Sequence, residues 1–144
     1  MQDLSGYDAV ICVAGSRTYN NTYGFDAALR DYLSWLGIEN YVLVSGAAWR
    51  GADRLCIEWA KAHKKPCIQV PADWDNDGRA AGHIRNAKMR EISTHVFALW
   101  DGESTGTKEM IDSSMELGLD VAVLMVQSDG WTPKPFGSYT PNRK

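Results

Sequence analysis

Residues 9–17 read Ala-Val-Ile-Cys-Val-Ala-Gly-Ser-Arg, a run of six apolar residues followed by a glycine, a serine and an arginine. The run lacks polar–apolar alternation, which is typical of a strand that is covered on both faces in a parallel sheet. Further segments of this kind lie at 41–44, 67–70, 96–100 and 121–126. The sequence therefore predicts five buried strands.

The stretches between these strands have the period of a helix. An apolar stripe from Phe25 to Leu36 predicts the first helix, and Gly37 ends it as a C-terminal glycine does. Three more helices are predicted, at 55–62, 80–92 and 107–117. Because strands and helices alternate, we expect one α/β domain over residues 1–126, with a doubly wound, mainly parallel five-stranded sheet and helices on both faces.

Composition and charge limit the classes of function. The chain is 44% hydrophobic and 23% charged, which is close to globular averages. Its net charge is −3, and since residues 127–144 hold three basic side chains against one acidic side chain, residues 1–126 carry −5. Nucleic acid is therefore an unfavoured partner, because its backbone binds clustered positive charge.

The sequence gives no reason to expect a membrane, a metal or a cofactor. The first eight residues lack the basic and apolar regions of a signal peptide, and the longest apolar run, 121–126, is too short to span a bilayer. The three cysteines lack Cys-x-x-Cys spacing and the three histidines share no ligand spacing, so we expect reduced core thiols. These features predict a cytoplasmic protein.

Residues 127–144 form a predicted C-terminal tail that is rich in proline and glycine. One interpretation is a loosely ordered segment, as is common at chain ends. The other is that Trp131, Phe136 and Tyr139 pack on the domain or on a neighbouring subunit. On the second interpretation the protein is a homo-oligomer.

Small and polar residues follow four consecutive predicted strands. Because the carboxyl ends of parallel strands meet at one edge of the sheet, where such folds bind ligands, we expect these residues to form one site. Glycine lets a backbone approach a phosphate, a helix start offers unpaired N–H groups, and arginine adds charge-assisted hydrogen bonds. The predicted ligand-binding residues are Gly15, Ser16, Arg17, Ser45, Gly46, Arg50, Gly51, Asp53, Asp73, Trp74, Arg85, Asn86, Asp101, Ser104, Gly106 and Thr107.

Simpler explanations stay open for single positions. Helix capping alone explains any one Gly-Ser or Ser-x-Gly-Thr turn, so only their occurrence together favours a ligand site. Trp74 either stacks on a base or sugar, or covers the core. Arg85 and Asn86 face either the ligand or the solvent.

Five short motifs occur in one order along the chain. They are Gly-Ser-Arg at 15–17, Ser-Gly-Ala-Ala-Trp-Arg-Gly-Ala-Asp at 45–53, Pro-Ala-Asp-Trp at 71–74, Ala-Gly-x-x-Arg-Asn-x-x-Met at 81–89 and Asp-Gly-x-Ser-x-Gly-Thr at 101–107. Together they resemble the YspA/DUF2493 branch of the SLOG superfamily, which includes the Lonely Guy and DprA/Smf proteins. The resemblance runs over roughly residues 9–126, and it implies a Rossmann-like fold. It also implies a pocket for a phosphorylated, nucleotide-derived small molecule of the nucleotide, NAD or ADP-ribose type, in a family frequent in phages and mobile elements.

Three functions compete on these grounds. We favour a sensor or sequestering protein, because the loops supply N–H groups, hydroxyls and arginines but no convincing nucleophile–base pair. The alternative is an N-glycosidase or phosphoribohydrolase-like enzyme. In such an enzyme Asp53, Asp73, Asp101 or Glu109 would have to hold the sugar or activate water, and the sequence does not assign the catalytic role to any of them. The third, single-stranded DNA binding of the DprA type, is disfavoured by the acidic charge.

The sequence departs from the family pattern in two places. The loop at 45–53 is one residue longer than the common form and lacks one of its glycines. In Lonely Guy proteins a Gly-Thr-x-x-Glu motif places a glutamate on the sugar, whereas here Gly106 and Thr107 precede Lys108, Glu109 and Met110. Glu109 therefore lies one residue early, about 100° around the helix.

Overall fold

Strand β1 lies in the middle of the sheet, and every other element is placed relative to it. The computed structural model describes residues 3–126. The strands are β1 Ala9–Gly15, β2 Tyr41–Ser45, β3 Cys67–Gln69, β4 His95–Trp100 and β5 Asp120–Met125. The helices are α1 Thr22–Leu36, α2 Ala52–Ala62, α3 Trp74–Asp77, α4 Ala81–Ile92 and α5 Thr105–Glu116, with a 3₁₀ turn at Gly78–Ala80 between α3 and α4.

The five strands form one sheet in the order β3-β2-β1-β4-β5, and every pairing is parallel. The chain moves outward from β1 to β3 and then returns to place β4 on the other side of β1. The loops after β1 and β4 consequently leave the sheet in different directions, which opens a crevice at this point. The predicted doubly wound, Rossmann-like fold is confirmed.

The two faces of the sheet carry separate hydrophobic cores, and β1 supplies both. Ile11 and Val13 pack in the core that α1 and α2 cover, while Val10 and Cys12 pack in the core that includes residues of α4 and α5. Because successive side chains of a strand point to opposite faces, a strand buried on both sides has to be apolar throughout. This requirement explains the unbroken apolar run at 9–14.

The helix ends agree with the predicted capping in part. Gly37 adopts a φ of 68° and its N–H donates to the carbonyls of Leu33 and Ser34, as expected for a C-terminal glycine. Helix α2 starts at Ala52 and α5 at Thr105, a few residues before their predicted starts. The short helix α3 was not predicted. Both early starts bring helix N-termini close to the carboxyl edge of the sheet.

Three expectations from the sequence concern a membrane, the cysteines and the C-terminal tail. Among residues 3–126 no helix is long and apolar enough to cross a membrane. Within the same range the cysteines are free thiols, with Cys12 and Cys56 buried and Cys67 partly buried. The predicted tail at 127–144 lies outside the described residues, so the interpretation of Trp131, Phe136 and Tyr139 stays a prediction.

Candidate functional site

A cleft of about 430 Å³ opens at the point where the sheet topology switches, between the loops after β1 and β4. Its apolar floor includes Ala14, Met89 and Met110, which sequence reasoning did not assign to the site. The predicted residues that line it are Gly15, Ser16, Arg17, Asp53, Arg85, Asn86, Asp101, Ser104, Gly106 and Thr107. The structure thus brings together residues from separate segments of the chain.

A hydrogen-bonded chain links the two loops of the cleft. Asp101 Oδ1 accepts the backbone N–H groups of Glu103 and Ser104, each at 2.8 Å, and Asp101 Oδ2 accepts the hydroxyl of Ser104 at 3.0 Å. The hydroxyl oxygens of Ser16 and Ser104 are 2.9 Å apart. Since Ser104 gives its proton to Asp101, Ser16 donates to Ser104 in this contact.

These bonds also set the charge state of Asp101. Partial burial opposes its ionisation, but the N–H groups of Ser104 and Glu103 and the hydroxyl of Ser104 outweigh burial and lower the pKa of Asp101. The carboxylate is therefore ionised at neutral pH and occupied in holding the loop. Asp101 therefore fixes the conformation of the cleft wall, and its lowered pKa does not suit a group that takes up a proton near neutral pH.

The start of α5 is open to the cleft. Its N-cap residue Ser104 makes no side-chain bond to the helix, because its hydroxyl is bonded to Asp101 and Ser16. Apart from its chain neighbours and the backbone of its own helix, an added Cβ at Gly106 would meet no atom within 4 Å, so the space beside the first turn is free. A helix N-terminus with free N–H groups and the positive end of the helix dipole is suited to a phosphate or a carboxylate.

Two glycines allow the loop after β1 to pack against the start of α2. A Cβ at Gly15 would lie 2.7 Å from the Cβ of Ala52 and 2.8 Å from the Leu99 carbonyl oxygen. Gly51 has a φ of 78°, and a Cβ there would lie 2.4 Å from the Cα of Arg17. Glycine at both positions is therefore a packing requirement of the loop that carries Ser16 and Arg17.

Arg85 lies against the loop after β2. Its Nη1 donates to the Gly46 carbonyl at 2.7 Å and lies 3.9 Å from Asp53 Oδ2, while its Nε donates to Asn86 Oδ1 at 2.9 Å. A Cβ at Gly46 would come within 2.7 Å of Arg85 Nη1, so glycine makes room for the guanidinium. Arg85 thus lines the cleft with its side chain mostly shielded from the solvent.

Asp53 is the partner of Arg85 and is largely buried. Burial raises the pKa of Asp53, although the N–H of Ala48 and the charges of Arg85 and Arg17 work in the opposite direction. The Ala48 N–H donates to Asp53 Oδ2 at 3.2 Å. The two carboxylates of the cleft wall, Asp53 and Asp101, therefore have pKa values shifted in opposite directions.

A second, smaller cavity of about 290 Å³ adjoins the cleft, because Arg17 and Arg85 line both. The predicted residues that line this cavity but not the cleft are Gly46, Arg50 and Trp74. Trp49 also lines it, and sequence reasoning did not assign that residue to the site although a tryptophan inside a glycine loop is an unusual choice. This cavity is the aromatic part of the candidate site.

Three predicted residues line neither cavity. Ser45 is fully buried, donates to the carbonyl of Asp53 at 2.9 Å and accepts the N–H of Ala47. Asp73 caps α3 by accepting the N–H of Asn76, and Gly51 serves the loop packing already described. Each of these residues stabilises the conformation of a loop whose neighbouring residues line the cleft or the second cavity.

Glu109, the displaced acid of the sequence, also lies outside both cavities. Its carboxylate accepts from Arg90 at 3.3 Å and from Asn86 at 3.3 Å, and it lies 3.6 Å from His83 Nδ1. It therefore links α4 to α5. Among the described residues, the carboxylates that line the cleft are those of Asp53 and Asp101.

Comparison with known proteins shows the family of this chain. Residues 9–76, which run from β1 into α3, match the family described as "YspA, cpYpsA-related SLOG family". The "Gene 61 protein" of Mycobacterium phage D29 is 30% identical over 119 residues, which cover 77% of this chain and 92% of that protein. No solved structure matches the chain significantly. The chain therefore belongs to the YspA, cpYpsA-related SLOG family.

Proposed function

We propose that this protein binds a phosphorylated, nucleotide-derived small molecule of the nucleotide, NAD or ADP-ribose type, with a phosphate at the N-terminus of α5. The observation that carries the proposal is the open first turn of α5 in the cleft at the topological switch, with free space beside Gly106. Membership of a SLOG family supports a nucleotide-related ligand. The similarity to a phage protein is in keeping with a phage or mobile-element origin.

The charges of the cleft are compatible with an anion even though residues 1–126 carry −5. Asp53 is paired with Arg85, and Asp101 is occupied by the hydrogen-bond donors of its own loop. Arg17 lies in the wall of the cleft, and no carboxylate of residues 3–126 pairs with it within 4 Å. Its guanidinium is available for a charge-assisted bond to a phosphate.

A sensor or sequestering role agrees better with this arrangement than hydrolysis does. The glutamate that resembles the Lonely Guy acid is held by Arg90 and Asn86 away from the cleft. Binding requires only the N–H groups, hydroxyls and arginine that are present, whereas hydrolysis requires a group that activates water. We therefore place binding first.

One observation favours hydrolysis as a second candidate. Asp53 is a largely buried carboxylate in the cleft wall, and its raised pKa is a property that general acids and bases share. If Asp53 takes part in cleavage of the ligand, the Asp53→Asn variant should still bind the ligand but should no longer cleave it. If Asp53→Asn and the wild-type protein both return the ligand intact, this second candidate is wrong.

The test of the proposed function places a charge beside the α5 N-terminus. Gly106→Asp adds a carboxylate where acidic residues stabilise a helix, so the fold is kept while a bound phosphate is repelled. Gly106→Asn has the same size without the charge, and Gly6→Asp adds the same charge at a second glycine with open space, outside both cavities. Binding of ADP-ribose and of ribose 5-phosphate would be measured by calorimetry.

We expect Gly106→Asp to bind both compounds at least about tenfold more weakly than Gly106→Asn, because like charges a few ångströms apart repel by more than about 1 kcal/mol near a protein surface. Gly6→Asp should bind as the wild-type protein does. Equal affinity of the Gly106→Asp and Gly106→Asn variants would contradict a phosphate at this helix.

A further inference from the structure

Two exposed tryptophans from different loops line the same small cavity. Trp49 lies in the loop after β2 and is 80% exposed, and Trp74 begins α3 and is 52% exposed. Neither belongs to the two hydrophobic cores, so neither of them covers the core. Large aromatic surfaces left in water at one cavity indicate a site that buries them when it is occupied.

The cavity has the size and walls of a slot for one ring system. At about 290 Å³ it is just below the range of pockets that hold a whole drug-sized ligand. Besides the tryptophans, its lining includes the apolar residues Ala47, Pro71 and Ala72. Aromatic side chains beside small apolar ones favour a planar heteroaromatic ring over a sugar or a phosphate.

The slot is joined to the anion cleft by shared arginines. Arg17 and Arg85 line both cavities, and the guanidinium carbon of Arg17 lies 5.9 Å from the centroid of the Trp74 ring. A cation between a phosphate position and an aromatic face can contact both parts of one ligand. The Arg17 guanidinium, a group that binds phosphate, therefore lies between the cleft and the second cavity.

We propose that the cavity between Trp49 and Trp74 is the base subsite of the proposed ligand site, so that the ligand is a base-containing nucleotide and not a free sugar phosphate. The inference rests on the proposed function, because it takes the phosphate of the same molecule to lie at α5. Arg50, whose guanidinium carbon lies 5.1 Å from the centroid of the Trp49 ring, holds a cation beside that ring. The base is recognised by stacking, which accepts more than one base.

The experiment compares two probes that differ in the base. ADP-ribose and ribose 5-phosphate would be titrated by calorimetry into the wild-type protein, Trp49→Ala and Trp74→Ala. Trp35→Ala is the matched control, because Trp35 is 43% exposed on α1 and lines neither cavity. Trp74→Phe retains a stacking surface, and thermal melting verifies that each variant is folded.

We expect Trp49→Ala and Trp74→Ala to weaken ADP-ribose binding by roughly 5- to 150-fold, the loss that removal of one stacking side chain causes. Ribose 5-phosphate should bind these variants as it binds the wild-type protein, and Trp74→Phe should restore much of the ADP-ribose affinity. If ADP-ribose binds the Ala variants unchanged, or if both probes weaken equally, the base subsite is refuted while the anion site stands. If the wild-type protein binds neither probe, and NAD and the common nucleotides also fail to bind, the proposed function fails, and the subsite fails with it.

Discussion

Removal of the Arg85 guanidinium tests the interaction that joins α4 to the loop after β2. In Arg85→Met the carbonyl of Gly46 loses a donor at 2.7 Å and the carboxylate of Asp53 loses its cation at 3.9 Å. The methionine keeps most of the apolar volume of the arginine stem. The variant therefore isolates the loss of charge and of hydrogen bonding.

The size of the effect follows from burial and distance. A hydrogen bond from a charged group contributes about 1.5–3 kcal/mol, and breaking a fully buried ion pair costs about 3–5 kcal/mol. The side chains of Arg85 and Asp53 are 11% and 15% exposed, and their contact is long, so we expect about 3 kcal/mol in total. For a chain of this size that corresponds to a fall in melting temperature of about 6–12 °C.

The assay is urea unfolding followed by tryptophan fluorescence at neutral pH, with Asp53→Asn in a double-mutant cycle. In the Asp53→Asn background no uncompensated carboxylate remains, so Arg85→Met should cost about 1–2 kcal/mol less there. Arg54→Met is the control, because its ion pair with Glu58 is half exposed and should contribute less than about 1 kcal/mol. The reasoning is refuted if Arg85→Met costs no more than Arg54→Met, or if its cost is the same in both backgrounds.

Three further predictions concern the loops, the two acids and the tail. Gly51→Ala should destabilise the fold by more than about 2 kcal/mol, since it adds backbone overlap to a positive φ, whereas Gly37→Ala, with a positive φ but open space, should cost about 1 kcal/mol in the same urea assay. Burial raises the pKa of Asp53 above its ordinary 3.8, so the contribution of Asp53 to stability is present below pH 3.8 and is lost as pH rises through the native pKa. The stability of Asp53→Asn relative to the wild-type protein should therefore increase as pH rises through this range. The pKa of Asp101 is lowered, so Asp101→Asn should be less stable than the wild-type protein above pH 3.8, and this difference should shrink as pH falls through the native pKa. If the melting temperatures of all three proteins change with pH in the same way across this range, both assignments are wrong. If the aromatic residues of 127–144 make a homo-oligomer, light scattering at micromolar concentration should show a dimer or larger species, and a monomer would remove that prediction.

The strands and long helices were predictable because each follows a simple rule. The run at 9–14 has to be apolar on both faces, and the stripe from Phe25 to Leu36 has to face the sheet. Helix α3 was not predictable from apolar period, since its four residues bury no side chain. Its start depends on the N-cap by Asp73, and aspartate is equally common in turns that begin no helix.

The position of the site followed from topology, but its internal contacts did not. Residues at strand ends have to meet at one edge, so Ser16 and Ser104 could be assigned to one site although 88 positions separate them. The pairing of Arg85 with Asp53 depends on how α4 packs, which no spacing in the sequence encodes. Ser45 was assigned as a ligand contact by its place after a strand, yet its hydroxyl is used by the Asp53 carbonyl.

The central claim is that the cleft binds a base-containing phosphorylated small molecule. The most direct measurement is incubation of the purified protein with a panel of nucleotides, NAD, ADP-ribose and cyclic ADP-ribose isomers. Filtration, heat denaturation of the retained protein and mass-detected chromatography of both fractions then follow. We expect at least one compound to be depleted from the filtrate and released intact on denaturation, and Gly106→Asp not to deplete it. Release as a free base and a phosphorylated sugar would establish hydrolysis in place of sequestration, and depletion of no compound would contradict the claim.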